Sequence, residues 1–179
     1  IEKIFWGRST ITAAGALLFF TKDSIVQLLL FELKYRHNKK AGLLLGNLIG
    51  KALSNSPRFE SVDIIIPIPI SKRKLHHRRF NQTQVICEGI VQSWKQKVIV
   101  KNLKKRRTGH AQTHKDRIQR NMQNNSNFYL TAPNELTNKN ILLVDDVITT
   151  GATIENACAC LQEGRPKSIY LAAAAYTIS

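Results

Sequence analysis

The chain has 179 residues, 43% of them hydrophobic and 22% charged, which excludes a disordered or fibrous protein and suits one domain that buries a core without disulfide staples. Lys and Arg outnumber Asp and Glu by 27 to 12, a formal net charge of +15. A balance this basic points to polyanions: nucleic acid, a phosphorylated metabolite or an anionic membrane surface.

In chain order, the first residue is Ile1 rather than Met, which predicts a fragment or processed form with a module upstream. The apolar run Ile11–Phe20 holds Thr12 and Gly15, is too short to span a bilayer, and lacks the flanks of a signal peptide. Residues 1–23 therefore read as an appendage to a domain over residues 24–179, and no membrane insertion is expected. Ser24–Tyr35 and Ala41–Leu53 carry the apolar spacing of two helices, the second broken by Ser54–Ser56 and Pro57. Val62–Ile70 is a dense β-branched run, a buried parallel strand that should end near Ile66, because Pro67 and Pro69 cannot donate to a central ladder. Asn81–Trp94 predicts a helix and Val98–Val100 a short strand. Asn102–Asn125 is polar, basic and aperiodic, a loop long enough to be functional. Asn127–Leu130, Asn140–Val144 and Ser168–Ala174 read as strands, and Gly151–Gln162 as a helix stopped by Gly164 and Pro166. Alternating strands and helices predict an α/β fold, a mainly parallel sheet flanked by helices.

The basic excess is uneven. From Thr137 onward three basic residues (Lys139, Arg165, Lys167) face four acidic ones (Asp145, Asp146, Glu155, Glu163). The excess lies upstream, in Lys34–Lys40, Lys72–Arg79 and Lys95–Arg120. Cys87, Cys158 and Cys160 form no C-x-x-C pair, so no zinc site is expected from this chain. They read as reduced, buried thiols of a cytoplasmic protein.

The chemistry concentrates in ILLVDDVITTGAT, Ile141–Thr153. An apolar strand ends in adjacent carboxylates, Asp145 and Asp146, followed by a Thr/Gly loop and a helix. Open α/β sheets bind ligands outside the carboxyl ends of their strands, and a helix N-terminus there holds phosphate. Thr149, Thr150 and Thr153 add hydroxyls, and Gly151 permits close backbone approach. Carboxylates repel a phosphate but accept hydrogen bonds from sugar hydroxyls or share Mg2+. The pattern predicts a phosphorylated sugar, with phosphate on the loop and the ring on the acids.

This segment resembles the motif of type I phosphoribosyltransferases that binds 5-phosphoribosyl-1-pyrophosphate (PRPP). A Walker loop would need G-x-x-x-x-G-K, absent here. Phe31–Gly42 (FELKYRHNKKAG), Ile66–Gln84 (IPIPISKRKLHHRRFNQTQ) and Thr108–Met122 (TGHAQTHKDRIQRNM) are similar to the ComF family, associated with bacterial competence for DNA uptake. The likeness runs from about Ser24 to the C-terminus. It implies a type I phosphoribosyltransferase fold with a flexible basic loop. It assigns Asp145 and Asp146 to ribose and magnesium, and Val147, Ile148, Thr149, Thr150, Gly151, Ala152 and Thr153 to the 5′-phosphate. Ser71, Lys72 and Arg73 fall to pyrophosphate. Gln112, Lys115, Arg117 and Arg120 are the loop's candidates for contacting pyrophosphate on closure. The implied activity is transfer of phosphoribose with release of pyrophosphate, with Mg2+ accompanying PRPP, in competence or nucleotide metabolism.

No side chain stands out as a general base: His76, His77, His110 and His114 lie in basic stretches and read as surface residues. Where hypoxanthine–guanine enzymes carry Asp, this chain has Thr149, which argues against a purine acceptor of that kind. The family's Arg-Gly before Phe-Asn-Gln is replaced by Arg78-Arg79. A competing reading is a non-catalytic module that holds PRPP, or single-stranded DNA among other competence proteins. A glutamine-dependent amidophosphoribosyltransferase, a label such motifs attract, would need a glutaminase cysteine near a mature N-terminus. No cysteine precedes Cys87 in this sequence.

Overall fold

Why the β-branched runs end up side by side is plain from their hydropathy: strands apolar on both faces must be covered on both faces. In the computed structural model, which describes residues 1–95, 97–106 and 127–177, the main sheet contains β1 (Ala13–Phe19), β2 (Ile64–Pro67), β3 (Val98–Ile99), β6 (Asn140–Ile148) and β7 (Ser168–Tyr176). Their order is β1-β7-β6-β2-β3, and every neighbouring pair is parallel. β4 (Leu103–Lys105) and β5 (Phe128–Leu130) form a separate antiparallel pair.

Side chains of β6 alternate between two cores. Leu142 and Val144 face one side, packed with α1 (Ile25–Tyr35), α2 (Lys39–Ser54) and α4 (Gln82–Ser93). Ile141 and Leu143 face the other, where Ile154, Ala157 and Leu161 of α5 (Ala152–Leu161) pack together with Phe5. A fifth helix, α3 (Lys72–Arg78), buries no side chain. α1 starts where expected, its Ser24 oxygen accepting the Gln27 N–H at 3.3 Å. α2 and α4 touch backbone to backbone. A Cβ added at Gly46 would stand 2.0 Å from the Ile86 carbonyl oxygen, and one at Gly89 2.4 Å from that of Leu43.

Four sequence expectations change. Residues 1–23 do not stand apart: β1 pairs with β7 along Ala13–Phe19, and the Ala14 N–H is held at 2.8 Å by Glu2. Asn102–Asn125 opens with a strand, Leu103–Lys105, because Leu103 and Phe128 bury together against the sheet. β6 continues past Val144 to Ile148, since β7 carries its ladder on to Tyr176. Lys72–Arg78, expected as loop and basic cluster, is helical, with Ser71 accepting the Lys74 N–H at 3.3 Å as its N-cap. Among the described residues, no helix is long and apolar enough to cross a membrane.

Candidate functional site

Asp145 and Asp146 are the last polar pair on β6 before the loop, and consecutive positions send them to opposite faces of the sheet. Asp146 Oδ2 lies 2.8 Å from Lys34 Nζ at the end of α1. Asp145 Oδ1 accepts the Asp146 N–H at 2.8 Å. Burial, reinforced by the Asp146 carboxylate, pushes Asp145 up to about 7, against the opposing pull of the Asp146 N–H, Lys34 and Lys105. A carboxyl this far from its ordinary range is the kind of perturbed group that gathers at functional sites. Each carboxylate keeps a second oxygen with no protein partner among the described residues. Mg2+ is commonly held by one or two carboxylates plus substrate phosphates, so a single one of these carboxylates could hold a magnesium ion carried in with a phosphorylated ligand. Among the described residues no cluster of three or more His, Cys, Asp or Glu is placed to hold a metal.

The loop after β6 is shaped for an anion. Gly151 is left-handed, at φ 80°, and as the N-cap of α5 brings no side chain to the first turn. The N–H groups at this helix start, with only a long contact from Ala152 to the Thr150 hydroxyl, are available to a ligand. Thr149, Thr150, Ala152 and Thr153 are exposed, Val147 is half-buried, and Ile148 is buried beneath them. The Thr150 hydroxyl stands 3.5 Å from the Ala152 N–H, the outer limit of a hydrogen bond. Beneath Gly151 lies Phe5, whose ring would be 2.7 Å from any added Cβ. Arg8 Nε pairs with Glu155 Oε1 of α5 at 2.9 Å. Sequence reasoning missed this buttress. Its trace was the apolar trio Ile4, Phe5 and Trp6 within an otherwise polar opening.

Ser71, Lys72 and Arg73 sit at the start of α3, beyond the carboxyl end of β2, with Lys72 and Arg73 exposed. Lys105 on β4 acts electrostatically on Asp145 and is itself affected by Lys74 on α3. Next to them is a cleft of about 480 Å³, bordered by Pro67, Pro69, Lys72, Arg79, Lys104 and Lys105 among others. Gln112, Lys115, Arg117 and Arg120 lie outside the described residues.

Arg79 resolves the departure seen in the sequence. It occupies φ 63°, ψ −13°, the left-handed position that ends α3, where glycine is the residue without steric penalty. The arginine therefore preserves the turn and adds a cation to the cleft.

A family model, the phosphoribosyl transferase domain, matches residues 94–179. Competence protein ComFC of Bacillus subtilis (strain 168) is 32% identical over 107 residues, which are 59% of this chain and 41% of that protein. The chain thus spans less than half of that relative's length. Among solved structures, the glutamine PRPP amidotransferase from B. subtilis aligns with a TM-score of 0.56 at 14% identity, over 80% of this chain and 30% of its own. A second structure, described as the allosteric regulatory enzyme of purine biosynthesis, gives 0.53 at 17% identity with the same coverage. At these identities the two structures speak for the fold alone. The parallel sheet, the domain match and these alignments give the chain the α/β fold of type I phosphoribosyltransferases. The 32% identity to ComFC agrees with the ComF-family resemblance seen in the sequence.

Proposed function

We propose that the protein binds PRPP with Mg2+ at Asp145–Thr153 and transfers its phosphoribosyl group to a nucleophile, releasing pyrophosphate. The observation that carries this reading is the sequence of groups at the end of β6: a carboxylate pair, then a left-handed Gly151, then the uncapped N-terminus of α5. Asp145 and Asp146 would accept the ribose hydroxyls, and the loop N–H groups and threonine hydroxyls would hold the 5′-phosphate. Substitution at the ribose C1 builds positive charge on the sugar and negative charge on departing pyrophosphate. Ser71, Lys72 and Arg73, with Lys74 and Lys105, stand where the leaving group needs cations. Mg2+ on the pyrophosphate would add Lewis-acid neutralisation of the same charge. Three free, buried cysteines support a cytoplasmic protein, and the likeness to ComFC supports a role in competence and DNA uptake or nucleotide metabolism.

Calorimetric titration of Mg2+ and PRPP into wild type and Asp145→Asn/Asp146→Asn tests the reading. Binding to wild type that the double variant loses, with pyrophosphate released once an acceptor is supplied, is the expected result. No binding to folded wild type would remove the assignment. A second reading, a PRPP- and single-stranded-DNA-binding module without turnover, is favoured by α3, a basic helix (KRKLHHR) with no buried side chain.

A further inference from the structure

A second groove, of about 440 Å³, lies between the segment that leads into β1 and one face of α5. Arg8 lines it from that segment, Glu155 from α5, and Lys167 from just before β7. None of Ser71–Arg73, Lys105 or Asp145–Thr153 borders it. Two cations and one carboxylate thus meet in a space apart from the candidate PRPP groups. Arg8 and Glu155 are paired, but incompletely. Arg8 Nε stands 2.9 Å from Glu155 Oε1, yet that buried oxygen accepts no hydrogen bond among the described residues. Arg8 Nη1 reaches the Ile4 carbonyl at 3.3 Å. Among the described residues, Arg8 Nη2, Glu155 Oε2 and the Lys167 ammonium have no partner.

Opposite charges left half-satisfied side by side suit a ligand that carries both signs. A phosphorylated molecule would set its charge against Glu155, and a polyamine would set its own against Arg8 and Lys167. A free α-amino acid bears its ammonium and its carboxylate on one carbon, as near to each other as Arg8 and Glu155 are. A guanidinium suits the carboxylate end, because its planar donors match the two oxygens. Thr12 and Ser168 add hydroxyls to the same walls. Cys158, Ala159 and Ile169 offer an apolar surface to a side chain. Burial, then Glu155, pushes the Cys158 thiol up to about 12, so it stays neutral there. The volume falls in the lower part of the range of small-molecule sites.

We infer that this groove is a site for a free α-amino acid, with Arg8 and Lys167 holding its carboxylate and Glu155 its ammonium. The inference does not rest on the PRPP reading, and the two fail separately. Thermal melts of the whole chain are recorded with each of the protein amino acids in turn, since a ligand of the folded state raises the melting temperature. The amino acid that stabilises most is then titrated calorimetrically into wild type, Arg8→Gln, Glu155→Gln, Lys167→Gln and Asp145→Asn/Asp146→Asn. The expected result is binding that weakens about tenfold in each of the three groove variants and is unchanged by the aspartate substitutions or by saturating Mg2+ and PRPP. Lys167 is exposed, so Lys167→Gln should melt as wild type does, and its loss of binding cannot be ascribed to unfolding. The matching amine without the carboxyl group, and the matching acid without the amino group, are the control probes; neither should bind as the amino acid does. Four outcomes would each overturn the inference: no amino acid that stabilises the chain, equal binding by either control probe, binding untouched by the groove substitutions, or binding lost with Asp145 and Asp146. A chain that takes the amino acid but not PRPP would keep this site and lose the other.

Discussion

At the scale of single residues, the candidate phosphate loop depends on a glycine for two separate reasons. Gly151 is left-handed, and the Phe5 ring fills the space a Cβ would take, at 2.7 Å. Gly151→Ala should cost about 2–3 kcal/mol of stability, from backbone strain and overpacking together. Pairing it with Phe5→Ala should recover the overpacking share while leaving the strain, a difference that thermal melts of the two variants resolve. Asp145 sets up a pH dependence. Its carboxyl is raised from the ordinary 3.8 to about 7, first by burial and then by Asp146. Between those values the folded chain keeps a proton that the unfolded chain has lost, so the contribution of this group to stability falls as pH rises from about 4 to about 7. Asparagine never ionises and can still accept the Asp146 N–H. Asp145→Asn should therefore raise the melting temperature of the ligand-free protein by roughly 4 °C at pH 8 and change it little at pH 4, as a pH series of melts would show. A group that opposes stability yet sits within the central strand is what a binding role for Asp145 would leave behind.

At the scale of elements, α2 and α4 are held at a separation that glycine alone allows. Gly46→Ala drives a methyl to 2.0 Å from a carbonyl oxygen that cannot rotate away. The two helices must then part, at a cost of about 3 kcal/mol, measurable by urea unfolding. An unchanged midpoint would mean that the helices shift freely. This scale is also where the sequence was most and least legible. α1, α4 and α5 fall within a residue or two of their apolar periodicity, because each buries one stripe against the sheet. β1 was not legible, since AAGALLF is rich in Ala and Gly, residues of low strand preference. It becomes a strand through its neighbour β7, whose small residues Ala172–Ala175 it lies against. α3 was hidden for the opposite reason: a helix that buries nothing has no apolar period to detect. Its one signal was Ser71 in the capping position. The candidate acids and the phosphate loop were readable because their chemistry is local in sequence. The cleft was not, because its cations come from α2, α3, the turn after it and the β3–β4 segment, which meet only in the fold.

At the scale of the whole molecule, the charge is segregated. The basic clusters lie upstream of the near-neutral stretch that carries β6, α5 and β7, so the half with the candidate phosphate loop is flanked by cations it does not itself contain. A single-stranded oligonucleotide bound by that surface should dissociate steeply as salt rises, by about one power of salt concentration for each phosphate neutralised. A fluorescence anisotropy series across ionic strengths checks this, and salt-insensitive binding would reject the surface as a nucleic-acid face. The same segregation explains why composition alone named a class of partner while leaving its position open.

The domain match begins at residue 94, yet β6, the strand that bears the acids, is paired on one side by β2 at residues 64–67. Phe5, from the far end of the chain, props up the loop that follows. A gene trimmed to the matched stretch would encode every group of the phosphate loop on a strand with one bare edge, open to pairing with its copies. What can be recognised in this protein is therefore shorter than what can be inherited as a working piece.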